Sequence, residues 1–185
     1  AMKAFTAALL VGLVSLPAPG GAGKPPAPPP AGLTQEHWNA GRTFRVFTPE
    51  GWTVSSVPGQ PETTEARGEG LLVRILRRET ELGLDSLHVE CMLVRLRPAM
   101  ETFPQVDYEY DFVGGSVGDR RALDSAFVVH YDEPVDGARD WRQRNLTVVG
   151  GGESLCVITY APLPAWKKSK AARKLLTAIV ESVRF

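Results

Sequence analysis

Apolar and polar residues alternate along much of the chain after residue 40, a pattern typical of β-strands with one buried face. Early in this region, Phe44–Val46 and Trp52–Val54 flank the turn sequence Thr48–Gly51. These segments predict a β-hairpin, or two strands joined by a short loop. Just before them, Thr34 is placed to cap a short helical turn that runs through Trp38.

Several further strands are predicted downstream, at 71–76, 87–96, about 121–132, about 140–149 and about 154–160. The 87–96 strand rests on the shared parity of Leu87, Val89, Cys91 and Leu93, with His88 on the other face. The segment 107–113 alternates acidic and aromatic residues, which favours a strand or an extended edge. Two non-strand segments complete this part of the chain: a polar loop at 58–70 and a short helix at 99–103.

The spacing of apolar residues changes in the last segment of the chain. The segment 164–182 predicts one amphipathic helix that packs on the sheet, because apolar residues recur at helical spacing in it and just after it: Ala172, Leu175, Leu176, Ile179 and Val183. The opposite face of this helix is basic, with Lys167, Lys168, Lys170, Arg173 and Lys174. A run of strands closed by a helix predicts an α+β domain with a mainly antiparallel sheet.

The N-terminal segment predicts export. Met2 and Lys3 precede an uncharged apolar run, Ala4–Leu16, and small or helix-breaking residues follow it, which is the layout of a secretory signal peptide over residues 1–22. Ala1, ahead of the expected initiator Met2, is interpreted as an added residue. Because a bilayer span takes about 20 apolar residues, no span is predicted in the mature chain. Residues 23–40 then form a Pro/Gly/Ala-rich tether and 41–185 one domain, periplasmic or extracellular.

Charge and cysteine content narrow the function classes. The chain has 21 basic and 21 acidic residues, and Lys3 is the only charge in 1–22, so the mature chain carries a formal charge of −1. No overall field therefore attracts nucleic acid or an anionic membrane. In an oxidising compartment the two cysteines, Cys91 and Cys156, are a candidate disulfide, with two buried free thiols as the alternative.

Three segments resemble the PsbP-like superfamily, which includes photosystem PsbP, the Ran-binding Mog protein and bacterial exported or chaperone relatives. They are Phe44–Trp52 with its Pro-x-Gly-Trp corner, the paired strands of Asn145–Ala161, and the ending Val180–Phe185. Over roughly residues 40–185, the resemblance implies an α/β/α sandwich, an antiparallel sheet flanked by helices. It also implies a non-enzymatic domain that binds or stabilises a protein partner, whose identity it does not specify.

Two other functions are weighed against protein binding. Gly114–Gly118 matches the G-x-S-x-G motif of α/β-hydrolases, which would make Ser116 a nucleophile with His130 as its base. Two features disfavour this hydrolase. A strand, not a helix, is predicted after Ser116, and too few residues separate Ser116 from His130 in the sequence to form the rest of a hydrolase fold. The other function is a carrier of a small apolar ligand between sheet and helix. The scattered histidines lack metal-ligand spacing, and no metal or cofactor is predicted.

The predicted binding site combines the basic helix face with two tryptophans, Trp52 and Trp166. Positive charge at a helix start opposes the macrodipole, and an acidic partner docked there would offset that cost. An ordinary solvated face is the alternative. Apart from Trp166 the basic face lacks aromatic stacking residues, so no nucleic-acid partner is predicted. The chain is expected to be a monomer or a weak oligomer.

Overall fold

The computed structural model describes residues 31–78, 82–96, 104–117, 119–150 and 152–184. Its elements follow the order β1 (Gln35–Trp38), β2 (Arg45–Thr48), β3 (Thr53–Val57), β4 (Gln60–Gly68), β5 (Leu71–Arg78), α1 (Leu84–Met92), β6 (Gln105–Val117), β7 (Arg120–Val135), β8 (Ala138–Gly150), β9 (Glu153–Pro162), α2 (Leu163–Lys168) and α3 (Lys170–Ser182). None of the described helices is long and apolar enough to cross a membrane.

The main sheet has seven strands in the order β3-β4-β5-β9-β8-β7-β6, and every neighbouring pair is antiparallel. The strands β1 and β2 form a separate antiparallel pair. Short connections join most neighbours, but β5 and β9 pair across a long stretch of chain. This pairing brings the first and second halves of the domain into one sheet.

Side chains on the two faces of the sheet form two cores. One core lies under α3 and the β1–β2 pair and includes Phe44, Val46, Val73, Val157 and Ile179. The other lies under α1 and includes Leu76, Leu87, Phe127, Ile158 and Tyr160. The central strand β9 contributes to both, because consecutive residues of a strand point to opposite faces. The predicted α+β class and the layered α/β/α arrangement are confirmed.

The strand predicted at 87–96 is wrong, because the first half of this segment belongs to the helix α1. Its buried residues are Leu84, Leu87, His88, Cys91 and Met92, the i, i+3, i+4, i+7, i+8 spacing of a helix face. Val89 and Leu93, which suggested alternation, are exposed. The short helix predicted at 99–103 lies outside the described residues.

The polar loop predicted at 58–70 is also wrong, because Gln60–Gly68 is the strand β4. Partners on both sides stabilise it, and its Thr63, Thr64 and Ala66 side chains are buried. Similarly, the residues from Thr34 to Trp38 contain the strand β1 instead of a helical turn. Of the two arrangements expected around Thr48–Gly51, the structure has two strands joined by a loop, since β2 pairs with β1 and β3 with β4.

The remaining strands agree with prediction. Segment 71–76 lies in β5, segment 107–113 lies in the edge strand β6, and the last three predicted strands correspond to β7, β8 and β9. Residues 1–30, with the predicted signal peptide, lie outside the described part of the chain. The domain boundary expected at residue 41 falls inside the β1–β2 pair, and Leu33 is already buried in the core.

The helix predicted over 164–182 is divided in two at Ser169, whose backbone is extended. The Ser169 side chain accepts a hydrogen bond from the Ala172 backbone N–H at 3.0 Å and so caps the start of α3. Arg173 reaches back and donates to the carbonyls of Trp166 and Lys167 at the end of α2. The two helices are therefore fastened to each other at the break.

Cys91 and Cys156 form a disulfide, which joins α1 to β9. Of the two states left open by the sequence, the structure thus has the bridge. Both residues are buried in the core beneath α1. The bridge is a second attachment of α1 to the sheet, in addition to its apolar face.

Removing the disulfide is expected to destabilise the domain without changing its fold. For a sequence separation of 65 residues, loop closure in the unfolded chain predicts a loss of about 4 kcal/mol in the free energy of unfolding. Urea unfolding of the Cys91→Ala, Cys156→Ala double variant, beside the oxidised and reduced wild-type protein, measures the loss. Equal midpoints for oxidised and reduced protein would contradict a stabilising bridge.

Trp52, at the end of the Pro49–Trp52 corner, is 6% exposed and packs in the core beneath α3. Its indole lies against the backbone of β4, so that a Cβ placed on Gly68 would come within 2.4 Å of the ring. The C-terminal segment that resembles the PsbP-like superfamily also has a structural role, through Ser182. Ser182 accepts a hydrogen bond from the Phe47 N–H at 3.0 Å and thereby joins α3 to β2.

The Gly68→Ala variant should lower the free energy of unfolding by about 1–3 kcal/mol, because the new methyl group overlaps the Trp52 ring. Gly114→Ala is the matched control, since no atom lies within 4 Å of a Cβ at that position. Chemical denaturation followed by tryptophan fluorescence compares the two variants. Similar stability of both would show that the indole is not held against β4.

Candidate functional site

The basic surface comprises the four lysines of the α2–α3 region: Lys167, Lys168, Lys170 and Lys174. All four are exposed. Lys170 and Lys174 are four residues apart on α3 and therefore lie on the same side of that helix. Lys167 and Lys168 end α2, so the break at Ser169 places both helix ends within one short stretch of surface.

A rigid base supports this surface. Trp166 is half-buried and packs against the core, and the Arg142 guanidinium lies 4.0 Å from its ring centroid. Arg142 is itself buried and donates a hydrogen bond from Nε to Glu109 Oε2 at 2.8 Å. The contact thus continues from α2 across β8 to the edge strand β6.

The lysines carry uncompensated charge. Among the residues that the structure describes, none of the four takes part in an ion pair. The first turn of α3 holds no acidic residue, so Lys170 faces the positive end of the helix dipole directly. That charge costs a few tenths of a kcal/mol, whereas Lys167 and Lys168 lie in the last turn of α2, where the dipole favours positive charge. The surface is therefore chemically suited to carboxylates supplied by another molecule.

Two of the predicted binding residues have other roles. Trp52 is buried and unavailable to a partner, which corrects its assignment to the binding site. Arg173 is half-buried and uses its guanidinium to hold the end of α2. The remaining residues of the predicted set are the four exposed lysines of the basic surface and Trp166, their partly exposed neighbour.

Ser116 and His130, the pair considered for a hydrolase, lie far apart. Ser116 at the end of β6 is opposite Arg121, whereas His130 is opposite Gln105 at the other end of the same two strands. Arg121 and His130 are nine residue steps apart along β7, about 30 Å at ~3.3 Å per step. A direct hydrogen bond between the two side chains is therefore impossible, and the proposed dyad is wrong.

His130 instead joins three strands. Its Nδ1 lies 2.9 Å from Asp140 Oδ1 on β8, and its Nε2 lies 3.0 Å from Asp107 Oδ2 on β6. The hydrogen bond to Asp140 is the main cause of a raised pKa for His130, and Asp107 adds to it while partial burial opposes it. Because the three residues come together only through strand register, their spacing in the sequence gave no sign of the cluster.

His88 was expected on the opposite face of a strand from Leu87 and Cys91, but it shares their buried face of the helix α1 and is completely buried. Its Nδ1 lies 2.8 Å from Thr147 Oγ1, and its Nε2 lies 3.0 Å from Ser125 Oγ. Burial lowers the pKa of His88, with nearby carboxylates opposing this effect. Although a serine contacts a histidine here, both are buried and no substrate reaches them, so the contact attaches α1 to β7 and β8.

The two histidines should affect stability in opposite directions. The raised folded pKa of His130 contributes stability below pH 6.5, and that contribution is lost as the pH rises through the folded pKa. For His88 the folded pKa is lowered, so protonation of the unfolded chain destabilises the protein as the pH falls below 6.5.

An NMR titration of the imidazole resonances tests these directions. We expect His130 to titrate above 6.5, and His88 and the partly buried His37 below it. The Asp140→Asn variant should lower the pKa of His130 and leave that of His88 unchanged, which makes His88 an internal control. Titration of all three histidines near 6.5 would contradict the observed contacts.

A cleft of about 780 Å³ lies between the C-terminal half of α3 and the strands β6, β7 and β8. Its apolar lining includes Val113, Val117, Leu146, Val180 and Val183. Its charged lining is balanced, with three arginines, Arg120, Arg144 and Arg184, and three carboxylates, Asp119, Asp124 and Glu181. The size suits a small ligand. The arginines, however, already donate hydrogen bonds to Asp124 or to backbone carbonyls.

Within the described ranges, no three His, Cys, Asp or Glu side chains are grouped so that they could hold a metal ion. The cluster of His130, Asp107 and Asp140 illustrates why. Both ring nitrogens are already within hydrogen-bond distance of a carboxylate, which leaves neither nitrogen directed at a shared central position.

Comparison with known proteins identifies the fold. No protein-family model and no curated protein matches the sequence. Cyanobacterial PsbP (CyanoP) from Synechocystis sp. PCC 6803 is similar in structure, with a TM-score of 0.59, 12% identity and coverage of 91% of this chain and 98% of its own. A mutant of the protein Mog1 has a TM-score of 0.51 at 12% identity, covering 81% and 94%.

A protein from Bacteroides thetaiotaomicron VPI-5482 also shares the fold, with a TM-score of 0.54 at 10% identity, covering 82% of this chain and 48% of its own. These matches confirm at the level of structure the PsbP-like fold that the three sequence segments predicted. At such low identity they establish the fold alone, and the activity has to be inferred from the chemistry of the surface.

Proposed function

We propose that this protein is an exported, non-enzymatic domain that binds or stabilises an acidic protein partner through the basic surface. A PsbP-like sandwich supplies a rigid support, and Lys167, Lys168, Lys170 and Lys174 supply the recognition. The partner would present a cluster of Asp and Glu side chains of matching extent.

The observation that carries the proposal is the set of four exposed lysines, for which the described part of the chain supplies no ion pair, on two helices anchored to the sheet. Ordinary surface lysines are dispersed, and their charge is tolerated because water solvates them. Here the charges are concentrated around the break between α2 and α3, and the helix dipole of α3 disfavours the charge of Lys170 in its first turn. A partner's carboxylates would remove both the mutual repulsion and the unfavourable dipole interaction. Electrostatic complementarity of this kind also raises association rates.

Export is supported by the signal-peptide pattern of residues 1–22 and by the closed disulfide between Cys91 and Cys156. Structural disulfides persist mainly in oxidising compartments such as the periplasm or the extracellular medium. The proposal includes no catalytic activity, since the sequence already disfavoured a hydrolase and its two candidate residues, Ser116 and His130, lie near opposite ends of the β6–β7 pairing.

A carrier of a small apolar ligand is the second candidate, favoured by the cleft between α3 and the sheet. We rank it lower for two reasons. The cleft is bordered by as many carboxylates as arginines, and the described arginines are engaged with the protein itself. The charges around the cleft therefore favour neither an anionic nor a cationic headgroup on an apolar ligand.

Charge reversal tests the basic surface. The Lys168→Glu, Lys170→Glu double variant should abolish capture of the partner from an envelope extract of the native organism, because it turns attraction into repulsion. Its control is Arg78→Glu, Arg139→Glu, which changes the net charge equally at two exposed residues outside α2 and α3. Affinity capture at increasing salt, with circular dichroism to confirm folding, is the measurement.

The expected result is one saturable partner that wild type and control retain, that the lysine variant loses, and that salt releases. Equal capture by all three proteins would remove the basic surface as the site. Absence of any partner would contradict protein binding and favour the carrier, for which native mass spectrometry would then show a retained adduct.

A further inference from the structure

The edge strand β6 exposes several large hydrophobic side chains. Of the eight exposed large hydrophobic residues among those described, four lie on β6: Tyr108, Phe112, Val113 and Val117. An exposed apolar edge is a template for pairing with another strand, and natural proteins usually protect such edges with charges, proline or bulges. The concentration of these residues on one edge therefore points to a docking surface.

The two halves of β6 differ in this protection. Between Tyr108 and Val113 the pairing with β7 is interrupted by bulges, and Phe112 adopts a positive φ of 48°. From Val113 to Val117 the pairing with β7 is regular, and the segment contains no charge and no proline. At the opposite edge of the sheet, β3 is only five residues long, has a register shift at Val57 and is followed by Pro58. The open edge is thus Val113–Val117, and it is called the V-edge below.

Strand geometry shows what the V-edge offers. A two-residue connection joins β6 to β7, so Val117 and Arg120 form the hydrogen-bonded pair that closes the hairpin. Alternation then directs the backbone groups of Val113 and Gly115 toward β7 and those of Gly114 and Ser116 toward the open edge. The side chains of Val113 and Val117 stand on the α3 face, where they border the cleft.

We propose that the V-edge binds the V-edge of a second copy of this chain, antiparallel, with a two-fold axis at Gly115. The sequence Val-Gly-Gly-Ser-Val is nearly palindromic, so it is self-complementary in this register. Each Gly114 pairs with Ser116 of the second copy through outward backbone groups. Each Val113 lies opposite Val117 of the second copy on the same face, which covers both exposed valines. Gly115 meets its own equivalent with no side chain between them.

The size of this contact sets its strength. Five residues on each side bury far less than the roughly 1,200–2,000 Å² of a stable interface, so the dimer is weak. The bulges on one side and the hairpin connection on the other prevent the pairing from extending. Because the axis closes the contact and each chain has one V-edge, the association stops at two copies. This surface differs from the basic surface, and the two proposals stand or fall separately.

Cysteine crosslinking tests the register. In the proposed dimer, the two Gly115 Cα atoms form a non-hydrogen-bonded pair about 4.5 Å apart, within the range of a disulfide. Gly115→Cys should therefore crosslink rapidly under mild oxidation. Gly114→Cys is the matched control, because its equivalents are diagonal neighbours about 7–8 Å apart. Both positions accept a Cβ without a clash, and both native cysteines are already bridged.

Analytical ultracentrifugation of the purified protein supplies the second readout. Wild type should show a concentration-dependent monomer–dimer equilibrium, and Val113→Lys should raise the dissociation constant at least about tenfold, since the change occurs twice in each dimer. The Lys168→Glu, Lys170→Glu variant should dimerise like wild type. A wild-type monomer at ~1 mM, where even a weak equilibrium is detectable, would overturn the proposal. Equal crosslinking of the two cysteine variants would overturn it as well, and would leave the V-edge to an extended segment of another protein.

Discussion

Burial of the central strand β9 on both faces is the constraint on which the rest of the structure depends. All its residues from Ser154 to Ala161 are buried, so neither face of the sheet around it is left to water. Each face must therefore be covered by another element. On one side α3 and the β1–β2 pair provide the cover, and on the other side α1 does. The layered architecture follows from this requirement, because a two-sided apolar strand is stable only between two layers.

The cover on the two faces is attached by different means. On the α1 side, attachment is partly polar and partly covalent, through the buried His88 contacts and the disulfide to β9. On the α3 side, apolar packing is supplemented by the Ser182 hydrogen bonds to β2. The outer side of α2 and α3 stays exposed, so the basic surface stands on a support that these attachments hold in place. A preorganised charged surface loses less entropy when a partner binds.

The uncovered part of the sheet lies around β6, β7 and β8. There the α3 face is stabilised by cross-strand ion pairs, such as Arg144 with Asp124 and His130 with its two carboxylates, in place of an apolar layer. Such pairs satisfy the exposed face, but they do not satisfy the outer backbone edge of β6. The V-edge is therefore a consequence of where the covering layer ends. The two proposed interactions use two kinds of surface that this fold leaves available, a charged helix surface and an open strand edge.

The sequence by itself determined the α+β class, seven of the nine described strands and the amphipathic character of the terminal helices, because each of these depends on side-chain periodicity within a short window. Periodicity misassigned α1, since Leu87, Cys91 and their neighbours fit both a strand and a helix face until Leu84 and His88 are included. It also missed β4, whose polar side chains form a strand because β3 and β5 pair with it on both sides. Only the tertiary structure decided that Trp52 is buried, that His130 joins Asp107 to Asp140, and that Ser116 lies far from His130. The burial of Trp52 depends on packing against β4, and the other two facts depend on strand register. Both are fixed by contacts between residues distant in the chain and leave no local pattern.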